Sequence, residues 1–267
     1  MKEIDDVVRR LDSIIAWARE NRSPLGYFAA LYRTVTVSVG EAITAGFFED
    51  GPRMARLDAV FASHYIDAFA AWRDGGPVVR SWMSTFEQAD RWSPIVLQHL
   101  LGGMNAHINL DLGIAAATVA RGSDIADLET DFMRINAVLG SLVDETKRQL
   151  SEIWRPLSLL DRIAGPADDA VVDFSMGLAR DGAWRFAERL AAADEAEWAD
   201  MIAARDAVIG NTIADMVYRP VWPARLLLLI VRLGERGTVL QKLTTLTGAV
   251  TLAQRACRPT GIDRAAR

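Results

Sequence analysis

Along residues 1–252, apolar side chains return every three or four positions, and no alternating strand-like pattern persists. Start and stop signals divide this stretch into about nine predicted helices. The first covers 3–20 and is broken over 21–24; the second runs over 27–48. Its "RTVTVSV" portion is β-branched and is the one place where a strand competes, but the surrounding period keeps it helical. Further helices are predicted over 54–73 and 78–89. The next runs over 94–120, with Ser93 as its cap and Pro94 in the first turn. A long one follows Ser123 to Trp154 and is closed by Pro156; a short segment then reaches Gly165. The last three lie over 166–193, 197–218 and 225–246, the final pair separated by "RPVWP". The expectation is a bundle-like all-α fold, a single helical domain over 1–252 with a buried polar helix at its centre. Residues 253–267, "AQRACRPTGIDRAAR" from 253, read as a disordered C-terminal tail.

One predicted helix departs from the Leu, Ala, Val and Ile of the others. "QHLLGGMNAHINLDLG", residues 98–113, carries two histidines, two asparagines, a glutamine and an aspartate between apolar positions. Each unpaired buried polar group costs about 1–3 kcal/mol, so this helix needs partners. At about 100° per residue, His99, Gly103, His107 and Asp111 share one stripe, and Gln98, Asn105 and Asn109 share another. His107 and Asp111 are one turn apart, a spacing that suits two ligands of one Zn, Mn or Fe ion. It equally suits a metal-free His–carboxylate pair for acid–base work. His99 lies eight residues before His107, about 12 Å along the axis, so it serves a different purpose from any ion held at His107. Gly103, between them, leaves a gap in which a ligand or another backbone could sit. Taken singly, each of these residues is more often a satisfied core group; the combination, with two of the chain's three histidines on one stripe, favours function.

These residues also carry a resemblance. "QHLLGGMNAHINLDLGIA", with "LDAVFASHY" upstream and "DFMRIN" downstream, resembles a bacterial, largely actinobacterial family of unknown function, over about residues 32–193. The resemblance implies an all-helical fold with this motif at its centre and brings no activity with it.

Other candidates lie outside the motif. Asp131, in "TDFMRINAVL" with Asn136, is predicted on a helix antiparallel to the motif helix and is the best third carboxylate. His64 has Asp67 three residues on, a second His–carboxylate spacing, although a half-exposed histidine is the commoner case, and Glu41 in an apolar stretch is a lesser candidate. Trp82 and Phe86, and Arg180 and Trp184, are four-residue pairs that could wall a substrate pocket, though such stripes are more often core. Asp168, Asp169 and Asp173 invite comparison with the acidic diphosphate motif of prenyl cyclases, but Val172 stands where that motif needs an acid. Acids at a helix start are explained by capping.

Composition narrows the classes. A net charge of −5 and three histidines in 267 residues argue against a nucleic-acid partner and against a multi-histidine trinuclear site. No glycine-rich phosphate loop, nucleophile elbow, His-Glu-x-x-His or Glu-x-x-His signature occurs, so no nucleotide or flavin site is evident. Cys257 is alone, and "LLLLIV" at 226–231 is far too short for a membrane span. That run either covers the core or forms a homodimer face. The sequence predicts a cytoplasmic helical enzyme acting on a small, largely apolar molecule by hydrolysis, hydration or isomerisation/cyclisation. It would use His107, Asp111, His99 and Asn105, with Gln98, Gly103, Trp82, Phe86, Arg180 and Trp184 towards substrate. A metal ion would add Asp131 or His64. The alternative is a non-catalytic carrier or interaction protein whose polar helix locks the core.

Overall fold

The computed structural model describes the backbone of residues 2–153 and 166–256, and all side chains there except 140–141, 143–145, 166–176 and 249–256. Among the described residues there are eleven α-helices and no strand. They are α1 (Lys2–Glu20), α2 (Gly26–Thr44), α3 (Gly51–Arg73), α4 (Arg80–Phe86), α5 (Val96–Ala106), α6 (Leu112–Val119), α7 (Ala126–Ile153), α8 (Pro166–Ala192), α9 (Trp198–Thr212), α10 (Trp222–Gly234) and α11 (Val239–Ala256). The "RTVTVSV" stretch is helical, inside α2.

Two predicted helices divide. The 94–120 helix is α5 and α6 joined by a π-helical turn over His107–Asp111, where the Leu112 N–H reaches back five residues to the His107 carbonyl. It begins at Val96 and not at Ser93 or Pro94. Two acceptors explain the start: Gln98 Oε1 takes the Ile95 N–H (3.1 Å), and Glu235 Oε1 takes the Val96 N–H (2.8 Å). The 225–246 helix is α10 and α11, broken at Gly237, whose φ of 84° an L side chain rarely adopts. A second π-helical turn, Ile213–Tyr218, extends α9. The predicted helix end at Trp154, the breaks at Pro156 and Gly165, and Cys257 with the rest of the predicted tail from 257 lie outside the described residues; α11 runs on to Ala256.

One apolar cluster runs from Val7 in α1 to Leu246 in α11. Helix α2 lies against α1, α3, α5, α7 and α11, and α6 is held between α3 and α8. The sequence reading had placed the Asp131 helix beside the motif helix. Instead α7 packs on α2 and α11, and α3 and α8 flank the motif. The two π-helical turns fasten α5–α6 to α9. A π turn leaves a carbonyl without its usual helical donor, and each turn recruits a side chain from the other segment. Arg205 Nε donates to the Asn109 carbonyl (2.6 Å), and Gln98 Nε2 donates to the Val217 carbonyl (2.6 Å).

Candidate functional site

His107 and Asp111 do point together. Within the π turn the imidazole Nδ1 lies 2.9 Å from Asp111 Oδ2, and Trp82 Nε1 on α4 donates to the same oxygen at 3.0 Å. Both residues are sealed, at 2% and 3% exposure. Five aromatic rings enclose the imidazole. Phe61 stacks on it at 3.5 Å between centroids and 8° between planes, and Tyr32 meets it edge-on at 4.5 Å. Phe28, Tyr65 and Trp82 stand 5.8, 6.2 and 5.9 Å away.

The polar atoms of this aromatic box are largely unmatched. His107 Nε2 is buried without a hydrogen-bond partner, and so are Asp58 Oδ2, His64 Nε2 and Tyr65 Oη, while the buried Tyr32 and Thr36 hydroxyls have no partner beyond each other. Burial pushes His107 towards the neutral imidazole and Asp111 towards the protonated acid. Whichever nitrogen carries the imidazole hydrogen, Nδ1 is matched by Asp111 and Nε2 has no partner. Asp58, fully buried, is pushed up to about 7 by desolvation alone. The Tyr32 hydroxyl is raised chiefly by burial and then by the charge of Asp58, with a hydrogen bond to Thr36 opposing and Asp111 adding to the rise. His64 is lowered by burial, with Asp67 opposing, and lies close enough to His107 to disfavour its protonation. Asp67 itself pairs with Arg10 at 2.7 Å.

The remaining predicted residues are placed elsewhere. His99 faces Tyr27 and Tyr218 rather than His107. Its Nδ1 is unmatched, and burial, then Arg232 and Lys242, push it down to about 3. It borders a cavity of about 10 Å³ for water centres, shared with Phe28, Tyr65, Trp82 and Thr85, room for about one water. Gly103 leaves no gap. The Phe28 ring fills the space where a Cβ would stand. Asn105 bonds within its own helix, donating to the Leu101 carbonyl at 2.9 Å and accepting from Asn109 at 3.2 Å, and Gln98 is a helix-capping group. Trp82 is one of the rings around His107, and Phe86 stacks on it at 5.3 Å. Arg180 and Trp184 form another cluster, both on Phe132, with Arg180 donating to the Phe132 carbonyl at 2.6 Å. Glu41 is half-buried. Nothing is described for the side chains of Asp168, Asp169 and Asp173.

Asp131 is the clearest correction. Its two carboxylate oxygens accept from the Glu49 and Asp50 N–H groups, each at 2.8 Å, and from Arg134 at 3.2 Å. It caps the approach to α3 and is not free to ligate. Among the described residues, no group of three or more His, Cys, Asp or Glu is placed to hold a metal ion. The donors therefore do not fit a Zn, Mn or Fe ion held by His107 and Asp111 with Asp131 or His64.

Tyr32, Thr36, Asp58, Phe61 and Tyr65 escaped the sequence reading, although periodicity carried a signal. Phe28, Tyr32 and Thr36 repeat every four residues, and Met54, Asp58, Phe61, Tyr65 and Phe69 follow one helical stripe. A carboxylate on such a stripe must be buried.

No described helix is long and apolar enough to cross a membrane. No curated protein and no solved structure gives a significant match to the chain. A family model described as "Family of unknown function (DUF5995)" matches residues 4–220, well beyond the span over which the motif had suggested a likeness.

Proposed function

For a chain that belongs to this family of unknown function, we propose acid–base catalysis on a small, largely apolar molecule, with His107 as the proton-transferring group. One observation carries this. The His107 Nε2, oriented through Nδ1 by Asp111, is buried without a partner among other unpartnered polar atoms. Each such atom costs the fold about 1–3 kcal/mol, and a core built only for stability would use phenylalanine at these positions. Asp111 fixes the imidazole orientation, and Trp82 fixes Asp111. Nε2 then gives or takes a proton. The Tyr32 and Tyr65 hydroxyls supply donors for negative charge growing on a substrate oxygen. The aromatic faces of Phe28, Phe61 and Trp82 suit an apolar body. Hydrolysis, hydration and isomerisation all use such a proton relay, and access to it requires the enclosing helices to part.

Closure of the box supports a second reading, the non-catalytic one, in which the polar turn locks the core. One experiment separates the two. Small apolar esters, epoxides and enones are incubated with the full chain, and conversion is followed by NMR, alongside melting curves. The catalytic reading expects conversion of at least one class that His107→Gln abolishes with little change in melting. Absence of conversion by the native chain, together with a large melting loss in His107→Gln, supports the locking role instead.

A further inference from the structure

Among the described residues, the longest apolar run of the chain is left largely uncovered. Helix α10 has no buried residue, so the expectation that 226–232 could roof the core fails. Only Ala224, Leu228, Val231, Arg232 and Gly234 of this helix are partly covered. The outward stripe is Trp222 (75% exposed), Leu226, Leu227, Ile230 and Leu233 (70%), spaced as one face of a helix. A helix apolar on both its inner and outer sides lies between the protein and another apolar phase. Trp92, also exposed, is fixed beside its C-terminal end, because Arg232 donates to the Trp92 carbonyl at 2.6 Å and lies over the indole ring.

Charge favours one occupant. The chain as a whole is acidic, yet residues 216–234 contain arginines at 219, 225 and 232 and no acid. Arg236 follows, while Glu235 is buried against Lys242 and Arg232. Asp215, just ahead of the stretch, and Asp90, two residues before Trp92 and followed by Arg91, are the nearest exposed acids in sequence. Exposed tryptophans at both ends, aliphatic side chains between them and flanking arginines form the pattern of a helix lying in an anionic bilayer surface. Area argues against a second copy. Thirteen residues make a strip about 20 Å long and 10 Å wide. Two copies meeting on it alone would cover on the order of 400–800 Å², below the roughly 1,200–2,000 Å² of a stable specific pair.

We propose that α10, with Trp92 and Trp222, is a docking face for an anionic phospholipid bilayer. The inference is independent of any chemistry at His107. Its test is sedimentation of the full chain with vesicles of phosphatidylcholine, alone or mixed with phosphatidylglycerol. The expected result is binding to mixed vesicles that weakens with salt and is weaker on phosphatidylcholine alone. Leu226→Ser/Ile230→Ser/Leu233→Ser, at exposed positions, should fold normally and bind at least about tenfold more weakly. Arg219→Gln/Arg236→Gln should lose the preference for phosphatidylglycerol. The proposal is overturned if the native chain leaves both vesicle types unbound, or if the serine variant binds as tightly. A dimer in sedimentation velocity that the serine variant dissolves, without vesicle binding, would make a second copy the occupant.

Discussion

Asp58→Asn tests the buried polar box without touching the His107–Asp111 pair. In the native chain the Asp58 carboxyl is pushed from 3.8 up to about 7 by loss of solvation, with no compensating charge. A raised carboxyl makes the folded state hold its proton where the unfolded chain has released it. Its contribution is fully present below pH 3.8, declines as the pH rises through that interval, and is gone above about pH 7. Each pH unit of separation corresponds to about 1.4 kcal/mol, so the interval is worth about 4 kcal/mol. Asparagine keeps the size and carries no titrating proton, and all other ionisable groups cancel when the two chains are compared. Urea unfolding of both at several pH values between 4 and 8.5 gives the difference directly. Relative to the native chain, the asparagine variant should gain about 4 kcal/mol between the acid and alkaline ends, with about half of that gain reached near pH 5.5 and a plateau above about 7. Parallel stability curves would show that Asp58 ionises freely in the folded protein. The box would then be wetter than its unmatched atoms imply.

Two further substitutions bear on the packing that positions the site. Gly103→Ala places a Cβ against the Phe28 ring and its Cβ; the expected loss, read as a lower melting temperature, is about 1–3 kcal/mol, reduced by alanine's better helix propensity of about 1 kcal/mol. Arg205→Leu removes the donor to the Asn109 carbonyl inside the π turn. It should cost about 1–3 kcal/mol and speed amide exchange over 107–112, and unchanged exchange there would show that the turn holds without its clasp.

Helical period read most of the fold correctly because nearly every helix buries one stripe, and burial is what writes the period into sequence. The β-branched stretch of α2 was legible as helix for the same reason. Some of the boundaries that failed are set by distant partners. Val96 begins α5 because Glu235, 139 residues away, accepts its N–H, and no local signal contains that contact. The π turn at His107–Asp111 was invisible, since a one-residue change of register leaves hardly a trace in the pattern of apolar positions. The His107–Asp111 contact was legible because four residues bring two side chains together in either helical form. Its partner Trp82 was legible as an aromatic wall but not as the donor to Asp111. Asp131 was misassigned for a general reason: residue type reveals that a buried carboxylate needs donors, and not whether those donors are backbone N–H groups or a ligand.

The buried carboxylates of the described residues fall into two kinds. Asp131 accepts the Glu49 and Asp50 N–H groups ahead of α3, Asp206 accepts the Arg80 and Ser81 N–H groups at the start of α4 (2.7 and 2.9 Å), and Glu235 accepts the Val96 N–H at the start of α5. Each puts negative charge at a positive helix end, where it is stabilised, and each is structurally accounted for. The helices so anchored are three of the four that carry the box: α3 with Phe61, His64 and Tyr65, α4 with Trp82, and α5 leading into His107 and Asp111, the fourth being α2 with Phe28, Tyr32 and Thr36. Asp58 and Asp111 belong to the other kind. Neither accepts from a backbone donor, both are pushed towards the protonated form by burial, and both act electrostatically on the Tyr32 hydroxyl. A fold that satisfies its carboxylates with backbone donors at three separate helix starts has the means to do so here as well. Leaving two of them without backbone donors beside an oriented imidazole is the costlier arrangement, and it is this cost that the acid–base proposal is meant to account for.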